Sequence, residues 1–321
     1  VTSRVLPDLF CSSWTYAGEG VAPGQLSLGQ MRDDYRIHSL GDHTELFGVV
    51  GKPLSHSLSP AMHNAGFKAI QRDAVYLPFE AIDIEDFEKF SNAFNVSGAS
   101  VTAPYKTAAL AKSSKVDELS RRVGAVNTLM MKDGGWQARN TDVPGFLEPL
   151  YGRIKLEDCR ATVLGAGGAA RAVVTALANE GAKVTVCARV AERAKSVAEL
   201  CGGETVAMPP VAGTWDLLVN TTPVGTYPDS NGSPLNPNDI EGQFVYDLVY
   251  NPPLTRLLAD ANAAGCSTIG GLAMLVSQAE RQFQWWTGQS PPTDSFLRAA
   301  EARLDSMNRA DKLDEVEVEN R

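Results

Sequence analysis

The sequence predicts a two-domain α/β protein, and three observations predict that fold class. Short apolar segments of strand length alternate with helical segments in two consecutive blocks, residues 45–143 and 144–271. Such alternation is typical of a largely parallel sheet with helices on both faces. A mainly helical segment, residues 272–307, follows the second block, and we expect it to return to the first block and complete that domain. A chain of 321 residues is long enough for two hydrophobic cores.

The elements of the first block end at residues that favour turns. The opening strand stops at Lys52-Pro53, and Asp133-Gly134-Gly135 is a strong hairpin turn between two later strands. The predicted elements of this block are strands over residues 46–51, 74–79, 98–102, 126–132 and 136–140 and a helix over residues 84–94.

The second block opens with a glycine turn after a predicted buried strand, residues 160–164. Gly165, Gly167 and Ala170 have the G-x-G-x-x-[GA] spacing, which allows a tight turn, the close approach of a pyrophosphate and close packing of the next helix. The pattern predicts a Rossmann-type dinucleotide-binding domain, although a strand-to-helix turn without a ligand has similar features. The predicted cofactor-binding residues here are Gly165, Ala166, Gly167, Gly168, Ala169 and Ala170.

The tip of the next predicted strand indicates which dinucleotide is bound. An Asp or Glu about 20 residues after the glycines holds the 2′-hydroxyl of NAD, whereas a 2′-phosphate requires guanidinium groups. The strand ends in Ala188-Arg189, Arg193 follows one helical turn later, and Glu192 lies beyond the tip. The sequence therefore favours NADP, bound by Arg189 and Arg193. The alternative is that both arginines are solvated residues at the start of a helix.

The rest of the second block continues the sheet before the chain becomes helical. The predicted elements are strands over residues 217–220, 244–248 and 268–269 and helices over residues 273–286 and 294–307. The final segment, residues 308–321, contains five acidic side chains between Asp311 and Glu319 and few large apolar ones. We therefore expect an acidic, disordered tail.

Composition excludes several classes of protein. The formal net charge of −9 argues against nucleic-acid binding, because phosphate backbones require basic surfaces. The five cysteines contain no C-x-x-C pair, which is typical of reduced thiols in the cytoplasm and predicts neither a disulfide framework nor a metal site. No apolar run approaches the roughly 20 residues of a membrane span, and the N-terminus lacks a signal-peptide pattern. We expect a cytoplasmic protein with a small-molecule substrate.

Polar residues near predicted strand ends in the first block are candidates for chemistry. Ser57 and Ser59 are two residues apart, so on an extended loop both hydroxyls point the same way and can donate to one carboxylate; a serine cap and turn is the alternative.

Lys106 follows a strand and a proline turn, and Asp142 immediately precedes the second block. A hydride acceptor needs a proton at the nascent alkoxide, which a positioned lysine supplies. The alternative interpretation of Lys106 or Asp142, taken singly, is an ordinary charged residue on the surface.

Seven ordered motifs between residues 46 and 307 carry a resemblance to one family. Four of them are Gly51-x-Pro53-x-x-His56-Ser57-x-Ser59-Pro60, Val101-Thr102-x-Pro104-Tyr105-Lys106, Asn140-Thr141-Asp142 and Gly271-Leu272-x-Met274-Leu275-x-x-Gln278-Ala279. The others are Gly124-Ala125-Val126-Asn127-Thr128, Asn220-Thr221-Thr222-Pro223-Val224-Gly225 and Asp247-Leu248-Val249-Tyr250-Asn251-Pro252. The segment closely resembles the shikimate dehydrogenase family. The resemblance implies a substrate-binding domain, residues 45–143 with 272–307, and a Rossmann-type NADP-binding domain, residues 144–271.

The resemblance also implies roles for individual residues. Lys106 and Asp142 would be the catalytic pair. The substrate carboxylate would be held by the hydroxyls of Ser57, Ser59 and Tyr250. The ring hydroxyls of the substrate would be bound by the side chains of Thr102, Asn127 and Gln278. Further cofactor contacts would come from Thr221, Pro223, Val224, Gly271 and Met274. Departures from the family pattern at Ala188 and Thr226 concern cofactor affinity, and Ala273 replaces an expected glycine.

The activity implied is the NADPH-dependent, reversible reduction of 3-dehydroshikimate to shikimate. A quinate dehydrogenase of the same superfamily would use the same catalytic pair, so it remains an alternative. A non-enzymatic, ligand-binding regulator on the same fold is a second alternative, which the intact Lys106, Asp142 and glycine turn disfavour.

Residues 1–36 resemble another family, the C-terminal end of type I 3-dehydroquinate dehydratases. The matching segments are Ser3-Arg4-Val5-Leu6-Pro7, Cys11-Ser12-Ser13-Trp14-Thr15-Tyr16-Ala17 and Ala22-Pro23-Gly24-Gln25. In that family Gln25 would contact substrate, whereas the Schiff-base lysine and its histidine partner would lie upstream, and one strand cannot close a barrel. We expect residues 1–44 to be a dehydratase remnant and linker, with an upstream dehydratase domain in a longer protein. Leu6, Phe10, Trp14 and Tyr16 would lack their barrel partners, which predicts poor order or opportunistic packing.

Overall fold

The computed structural model describes residues 1–7, 12, 15, 17–18 and 25–319, with residues 310–319 described by their backbone. The chain forms two compact units. Unit 1 consists of Val1–Lys115, Thr128–Ala138 and Ala279–Arg321, and unit 2 of Val116–Asn127 and Arg139–Gln278. Each unit contains one six-stranded sheet, so the predicted two-domain α/β class is confirmed. Within the described residues, none of the helices has both the length and the apolar character needed to cross a membrane.

The regular elements are as follows, in chain order. The strands are β1 (Glu45–Gly51), β2 (Ala74–Glu80), β3 (Val96–Val101), β4 (Lys115–Val116), β5 (Thr128–Lys132), β6 (Gly135–Arg139), β7 (Arg160–Leu164), β8 (Lys183–Cys187), β9 (Glu204–Val206), β10 (Leu217–Asn220), β11 (Phe244–Asp247) and β12 (Ser267–Ile269). The α-helices are α1 (Thr2–Val5), α2 (Ser59–Ala69), α3 (Ile84–Ala93), α4 (Lys106–Lys112), α5 (Glu118–Val123), α6 (Asp142–Leu147), α7 (Gly168–Asn179), α8 (Ala191–Ala198), α9 (Arg256–Ala263), α10 (Gly271–Thr287) and α11 (Ser295–Glu319). Short 3-10 turns span Ile37–Ser39, Glu148–Leu150, Glu199–Cys201 and Pro237–Asp239, and a π turn spans Gln30–Asp34.

The sheet of unit 1 has the strand order β2-β1-β3-β5-β6-β4. β1 pairs in parallel with β2 and β3, whereas β3 pairs with β5 antiparallel. The sequence predicted a largely parallel sheet, and the structure departs from it where β5 runs antiparallel to β3; β5 then continues into β6 through a hairpin, which needs no crossover helix. Asp133 (φ 53°) and Gly134 (φ 76°) form the turn of that hairpin, which the sequence did predict.

The core of unit 1 is rich in aromatic rings. The Phe47 ring on β1 lies 5.1 Å from the Phe67 ring of α2 and 5.4 Å from the Trp286 ring of α10, measured between centroids. Gly98 on β3 makes room for this packing, since a β-carbon there would lie 2.8 Å from Trp286 Nε1. That nitrogen donates a hydrogen bond to the Leu129 carbonyl oxygen at 2.9 Å. The C-terminal half of α10 is therefore packed directly on the sheet of unit 1.

The sheet of unit 2 is parallel at every pairing, with the order β12-β11-β10-β7-β8-β9. Numbered from the first strand of the unit, this is the 3-2-1-4-5-6 order of a Rossmann sheet. The chain reverses its direction of travel across the sheet between β7 and β10, and ligands of open α/β sheets bind at such a switch point. Small buried residues on α7, among them Ala170, Ala172 and Ala176, let that helix lie close to the sheet.

The borders of the units differ from the predicted domain borders. Residues 116–127, 139–143 and 272–278 belong to unit 2, whereas the sequence analysis assigned them to the first domain. The first two segments carry Asn127 and Asp142, and the third carries Met274 and Gln278, all of them predicted site residues. Sequence patterns mark where elements begin and end, but contacts decide which sheet an element joins.

At the N-terminal end the structure shows packing, one of the two outcomes expected for that segment, whereas the C-terminal end differs from expectation. Val5, Leu26, Met31 and Tyr35 are buried, so the described part of residues 1–44 contributes side chains to the core of unit 1. Of the apolar residues singled out above, Leu6 is half-buried, and Phe10, Trp14 and Tyr16 lie outside the described residues. At the other end, α11 continues to Glu319, where the sequence predicted a disordered tail over residues 308–321. The backbone of residues 308–319 is helical because this stretch is rich in helix-forming residues and contains no Gly or Pro.

Candidate active site

The glycine turn of unit 2 has a geometry that only a small residue permits. Gly165 has φ +111°, and a β-carbon there would lie 2.5 Å from Thr221 Oγ1. Its amide donates to the Cys187 carbonyl oxygen at 2.8 Å, and Thr221 donates to the Leu164 carbonyl oxygen through both its amide (2.9 Å) and its hydroxyl (2.7 Å). The turn is thereby tied to the ends of β8 and β10, its two neighbours at the switch point.

The space in front of α7 is open. A β-carbon at Gly167 would meet no atom within 4 Å, and no side chain caps the helix. Gly168 and Ala169 are half-buried in the first turn, and Ala170 is fully buried against the sheet. Uncapped amides at a helix N-terminus attract anions, and here they lie at the topological switch point, where a pyrophosphate fits.

Two arginines follow β8, at the positions predicted from the sequence. Arg189 and Arg193 have exposed side chains, with Arg193 on α8. Across the described residues, neither guanidinium group makes a hydrogen bond or an ion pair with a carboxylate. Both groups are therefore available to a phosphate without first breaking an internal contact.

A buried polar cluster in unit 2 joins three of the predicted site residues. Asn127 Nδ2 lies 2.7 Å from Asp142 Oδ1, 2.9 Å from Thr141 Oγ1 and 3.1 Å from Gln278 Oε1, so its two hydrogens are shared among three acceptors. The Thr141 amide donates back to Asn127 Oδ1 at 2.7 Å, and Gln278 Nε2 donates to the Leu275 carbonyl oxygen at 2.8 Å. All of these side chains except that of Leu275 are more than nine-tenths buried. The structure thus brings Asn127, Asp142 and Gln278 together.

The local fold explains why Asp142 sits in this cluster. Asp142 is the first residue of α6, and Asn140 Oδ1 accepts from the Val143 amide at 3.2 Å. Asn140 Nδ2 donates to the Ala125 carbonyl oxygen at 2.9 Å. One asparagine therefore joins the start of α6 to the loop that carries Asn127.

Ser57 and Ser59 lie before and at the start of α2. Leu58, between them, has helical angles (φ −87°, ψ −12°), so the extended loop expected from their spacing is wrong. The Ser59 amide lies 3.4 Å from Ser57 Oγ, which is a serine turn of the kind given as the alternative. Ser57 is half-buried and Ser59 is buried.

Thr102 and Lys106 follow β3 in unit 1. The Thr102 amide donates to the Val50 carbonyl oxygen at 2.9 Å, and a β-carbon at Gly51 would clash with the Thr102 methyl group, so the two strand ends are in close contact. Lys106 is half-buried at the first position of α4. The preceding Tyr105 is buried, and its hydroxyl lies 2.7 Å from the Ala81 carbonyl oxygen. Lys106 therefore begins its helix from a fixed point beside the sheet.

The remaining predicted residues of unit 2 lie on the loops after β10 and β11 and in the first turn of α10. Tyr250 is half-buried, and burial raises the pKa of its hydroxyl above the usual value. A β-carbon at Gly271 would clash with the Leu248 carbonyl oxygen, and Met274 is buried in the core of the unit, so both positions also have packing reasons for their residue types. On the turn after β10, Pro223 and Val224 are exposed, whereas Thr221 is half-buried.

Sequence reasoning assigned no role to a second buried polar group, formed by Asn220, Asp247 and Thr255. Asn220 and Asp247 are the last residues of the adjacent strands β10 and β11, and their side chains are 2.8 Å apart, from Nδ2 to Oδ1. Burial raises the pKa of the Asp247 carboxyl, although hydrogen bonds from Thr255, Val249 and Asn220 oppose the shift. A signal was present in the sequence, since both apolar strands end in a polar residue.

Comparison with protein families gives three matches along the chain. Residues 49–129 match the shikimate dehydrogenase substrate binding domain, and residues 150–220 match the shikimate / quinate 5-dehydrogenase family. Residues 271–301 match the shikimate 5′-dehydrogenase C-terminal domain. The matches follow the order of the motifs described above.

Individual proteins extend the similarity over most of the chain. The NADP+-dependent shikimate dehydrogenase of Shouchella clausii is 37% identical over 273 residues, which cover 81% of this chain and 99% of that protein. The chloroplastic bifunctional 3-dehydroquinate dehydratase/shikimate dehydrogenase of Arabidopsis thaliana is 33% identical over 321 residues, covering 92% of this chain and 53% of that protein. A crystal structure of the Thermus thermophilus shikimate 5-dehydrogenase with NADP(H) and shikimate has a TM-score of 0.74 at 39% identity, covering 81% of this chain and 99% of the other.

Proposed function

This chain belongs to the shikimate dehydrogenase family, and we propose that it catalyses the reversible reduction of 3-dehydroshikimate to shikimate with NADPH. The observation that carries the proposal is the buried cluster of Asn127, Asp142 and Gln278, joined by hydrogen bonds of 2.7 and 3.1 Å. Two amides and a carboxylate offer the donors and acceptors that a hydroxylated ring acid requires. A site built from such groups discriminates strongly against an analogue that lacks one hydroxyl.

The residues present fit NADP as the cofactor. The open space at Gly167 and the uncapped start of α7 suit the pyrophosphate, and the exposed Arg189 and Arg193 suit the 2′-phosphate. The reduced nicotinamide, when bound, supplies the hydride. We assign contacts with the nicotinamide half of the cofactor to Thr221, Pro223, Val224, Gly271 and Met274.

The proposed chemistry assigns a proton donor and a set of orienting groups. The Lys106 ammonium donates a proton to the ketone oxygen as it becomes an alkoxide, and neutral Lys106 takes the proton back in the reverse direction. Asp142 orients that ammonium and accepts a hydrogen bond from a neighbouring substrate hydroxyl. Hydroxyls of Ser57, Ser59 and Tyr250 hold the carboxylate, and polar groups of Thr102, Asn127 and Gln278 hold the ring hydroxyls.

A steady-state assay with shikimate tests this proposal directly. Shikimate and quinate are assayed in separate reactions, each with NADP+ and with NAD+, and the absorbance of the reduced nicotinamide is followed. We expect turnover with shikimate and NADP+ and a much lower kcat/KM with NAD+ or quinate. Preferred turnover of quinate would make the chain a quinate dehydrogenase. Binding of shikimate without any reduction of NADP+ would indicate a ligand-binding regulator instead.

We further propose that residues 1–36 derive from the end of a dehydratase domain and that the chain corresponds to the dehydrogenase part of a bifunctional protein. The residue matches in that segment support this, as does the Arabidopsis bifunctional relative, whose similarity covers 92% of this chain. We expect this chain to show no dehydration of 3-dehydroquinate, because one strand and its helix cannot form the barrel. Detectable dehydration by this chain would contradict the assignment.

We propose a reducing compartment, the cytoplasm, as the location of the enzyme. Cys159, Cys187, Cys201 and Cys266 are free thiols in the described part of the chain. Such scattered, unpaired cysteines are typical of proteins kept reduced. Titration of the thiols in protein purified without reductant should find them all free.

A further inference from the structure

The carboxylate of Asp247 is the centre of a buried polar network in unit 2. Its Oδ1 accepts hydrogen bonds from Asn220 Nδ2 at 2.8 Å and from the Val249 amide at 3.0 Å, and its Oδ2 accepts one from Thr255 Oγ1 at 2.6 Å. Asp247 is fully buried, and no Lys or Arg of the described chain forms an ion pair with it. A buried carboxylate without a cation is costly unless its oxygens are hydrogen-bonded, so these three donors are needed to hold it.

The network fixes the direction of the hydrogen bonds that reach the turn after β10. Asp247 Oδ1 already accepts from the Val249 amide and acts as an acceptor here, so the amide nitrogen of Asn220, not its oxygen, must face it. Asn220 Oδ1 then faces the other way and accepts from Thr222, through the amide at 3.0 Å and the hydroxyl at 2.7 Å. Thr222 Oγ1 in turn accepts from the Val224 amide at 3.3 Å. The acceptor at Asp247 Oδ1 thereby orders, through Asn220 and Thr222, the turn that carries Thr221 and Val224.

The same carboxylate holds two other segments. Its bond to the Val249 amide fixes the residue before Tyr250, and the Val249 carbonyl oxygen accepts from the Gly271 amide at 3.2 Å, at the start of α10. Its bond to Thr255 fixes the cap of α9, where the same hydroxyl accepts from the Leu258 amide at 3.3 Å. The segments proposed to contact the nicotinamide and the loop proposed to contact the substrate carboxylate are therefore all held by hydrogen bonds that lead to Asp247.

We propose that Asp247 is a positioning residue for the dehydrogenase reaction, which sets the conformation of the Thr221–Val224 turn and of the Tyr250 loop. The inference rests on the proposed function, since those two segments are placed there at the nicotinamide and at the substrate carboxylate. Asp247 acts through Asn220, Thr222 and Val249, because its own side chain is buried. Replacing one of the two carboxylate oxygens of Asp247 should therefore misplace the nicotinamide and the substrate. It should leave the adenosine half of the cofactor site unaffected.

The test compares four proteins: the wild type, Asp247→Asn, Thr255→Val and Thr255→Ser. Asp247→Asn keeps the shape but replaces one acceptor oxygen with a donor, so one of the three present donors loses its acceptor and its hydrogen bond is broken or reversed. Thr255→Val removes the hydroxyl that donates to Asp247 and that accepts from the Leu258 amide, and Thr255→Ser keeps both hydrogen bonds. For each protein, kcat, the KM values for shikimate and NADP+, and the Kd for 2′,5′-ADP are measured. That nucleotide carries the adenosine and the 2′-phosphate but no nicotinamide.

We expect Asp247→Asn to lower kcat about tenfold or more and to raise the KM for shikimate severalfold, since one unmade buried hydrogen bond alone costs about as much as a tenfold change in rate. Thr255→Val should change the same constants in the same direction by less, and Thr255→Ser should restore wild-type values. The Kd for 2′,5′-ADP should stay within about twofold of the wild type in all variants. A change in kcat and in the KM for shikimate with an unchanged Kd for 2′,5′-ADP would distinguish a positioning role from a general loss of structure in unit 2.

Three results would overturn the inference. One is that folded Asp247→Asn and Thr255→Val keep kcat and both KM values within about twofold of the wild type. Another is that affinity for 2′,5′-ADP falls in parallel with kcat, which indicates a structural role only. If Asp247→Asn does not fold, the Thr255→Val and Thr255→Ser pair decides the question alone. The third result is that the wild-type protein does not oxidise shikimate with NADP+, which would overturn the proposed function as well.

Discussion

Gly145 on α6 lies directly against Gln278 on α10. A β-carbon built at Gly145 would lie 2.7 Å from the β-carbon of Gln278 and 2.9 Å from its backbone nitrogen. These atoms belong to the main chain and to the first carbon of the side chain, so they cannot move aside by a change of rotamer. The absence of a side chain at position 145 is therefore what allows Gln278 to approach Asn127 and Asp142.

Gly145→Ala should weaken substrate binding through this contact. The new methyl group displaces α10 at Gln278, and the 3.1 Å hydrogen bond between Asn127 and Gln278 is lengthened or lost. We expect the KM for shikimate to rise about tenfold, which corresponds to roughly 1.4 kcal/mol, the scale of one hydrogen bond. Gly41→Ala is the control, because a β-carbon there meets nothing within 4 Å. Equal KM values in the two variants would contradict the prediction.

Replacement of Lys106 by Ala should abolish most turnover. The variant lacks the proposed proton donor, and loss of general acid catalysis typically costs about 10²–10⁴-fold in rate. Affinity for NADPH, measured by fluorescence titration, should change little, because Lys106 is not among the proposed cofactor contacts. Lys112→Ala, at the other end of α4, removes the same charge from an exposed ion pair with Glu85 and should retain activity. Retained turnover in Lys106→Ala would exclude it as the acid.

Replacement of Arg189 by Ala should reduce the preference for NADP+ over NAD+. The exposed guanidinium is proposed to bind the 2′-phosphate, and a hydrogen bond to a charged group is worth about 1.5–3 kcal/mol. We expect the KM for NADP+ to rise about ten- to a hundredfold, with the KM for NAD+ little changed. Arg256→Ala changes the net charge equally but removes an arginine paired with Asp260 at 2.9 Å, so it serves as the control. Parallel changes for both cofactors would argue against a 2′-phosphate site.

Local patterns in the sequence predicted much of unit 2. The glycine spacing, the strand before it and the arginines after it describe one short stretch of chain, where neighbours in sequence are also neighbours in space. The strand predicted over residues 217–220 has the bounds found in the structure, and the one predicted over residues 244–248 ends one residue later than β11. β9 was missed because it has only three residues, all exposed, and therefore no apolar pattern.

Contacts between residues that are far apart along the chain were harder to predict from the sequence. Motif resemblance placed Asn127 and Gln278 in the same site, but their approach depends on a glycine at position 145, which no local pattern connects to either of them. The burial of Met31 was not predicted either, because the expectation of poor order or opportunistic packing for the N-terminal segment did not say which side chains would be buried. The burial of a side chain depends on which surface it finds, and a single sequence does not display that surface.

Met31→Ala should destabilise unit 1. Met31 is 1% exposed in the π turn Gln30–Asp34, so truncation leaves a cavity and should cost about 2–5 kcal/mol of unfolding free energy. Leu28→Ala in the same segment is the control, since Leu28 is 62% exposed and its truncation should cost little. Chemical denaturation measures both. Equal stabilities would mean that the N-terminal segment does not contribute to the core of unit 1.

His63 should make unit 1 sensitive to acid. It is fully buried on α2, with its ring stacked on Tyr76 at 4.4 Å between centroids and rings of Trp286 and Phe296 each at 5.2 Å. Burial lowers the pKa of the imidazole to about 3, and only a contact with Gln282 opposes that shift. The pKa in the unfolded chain is about 6.5, so between pH 6.5 and 3 the unfolded state binds a proton that the folded state does not. Stability therefore falls as the pH falls through this window, by up to about 1.4 kcal/mol per pH unit.

His63→Phe tests this expectation, because a phenyl ring suits the aromatic surroundings and cannot be protonated. Below pH 6 the unfolding free energy of the variant should fall less steeply with pH than that of the wild type, and the difference between the two slopes isolates the imidazole from the carboxylates that titrate in the same range. Urea denaturation at pH 7, 6, 5 and 4 measures both slopes. His43→Gln, at an exposed histidine, should follow the wild type. Identical slopes for His63→Phe and the wild type would show that the imidazole is not held neutral in the core.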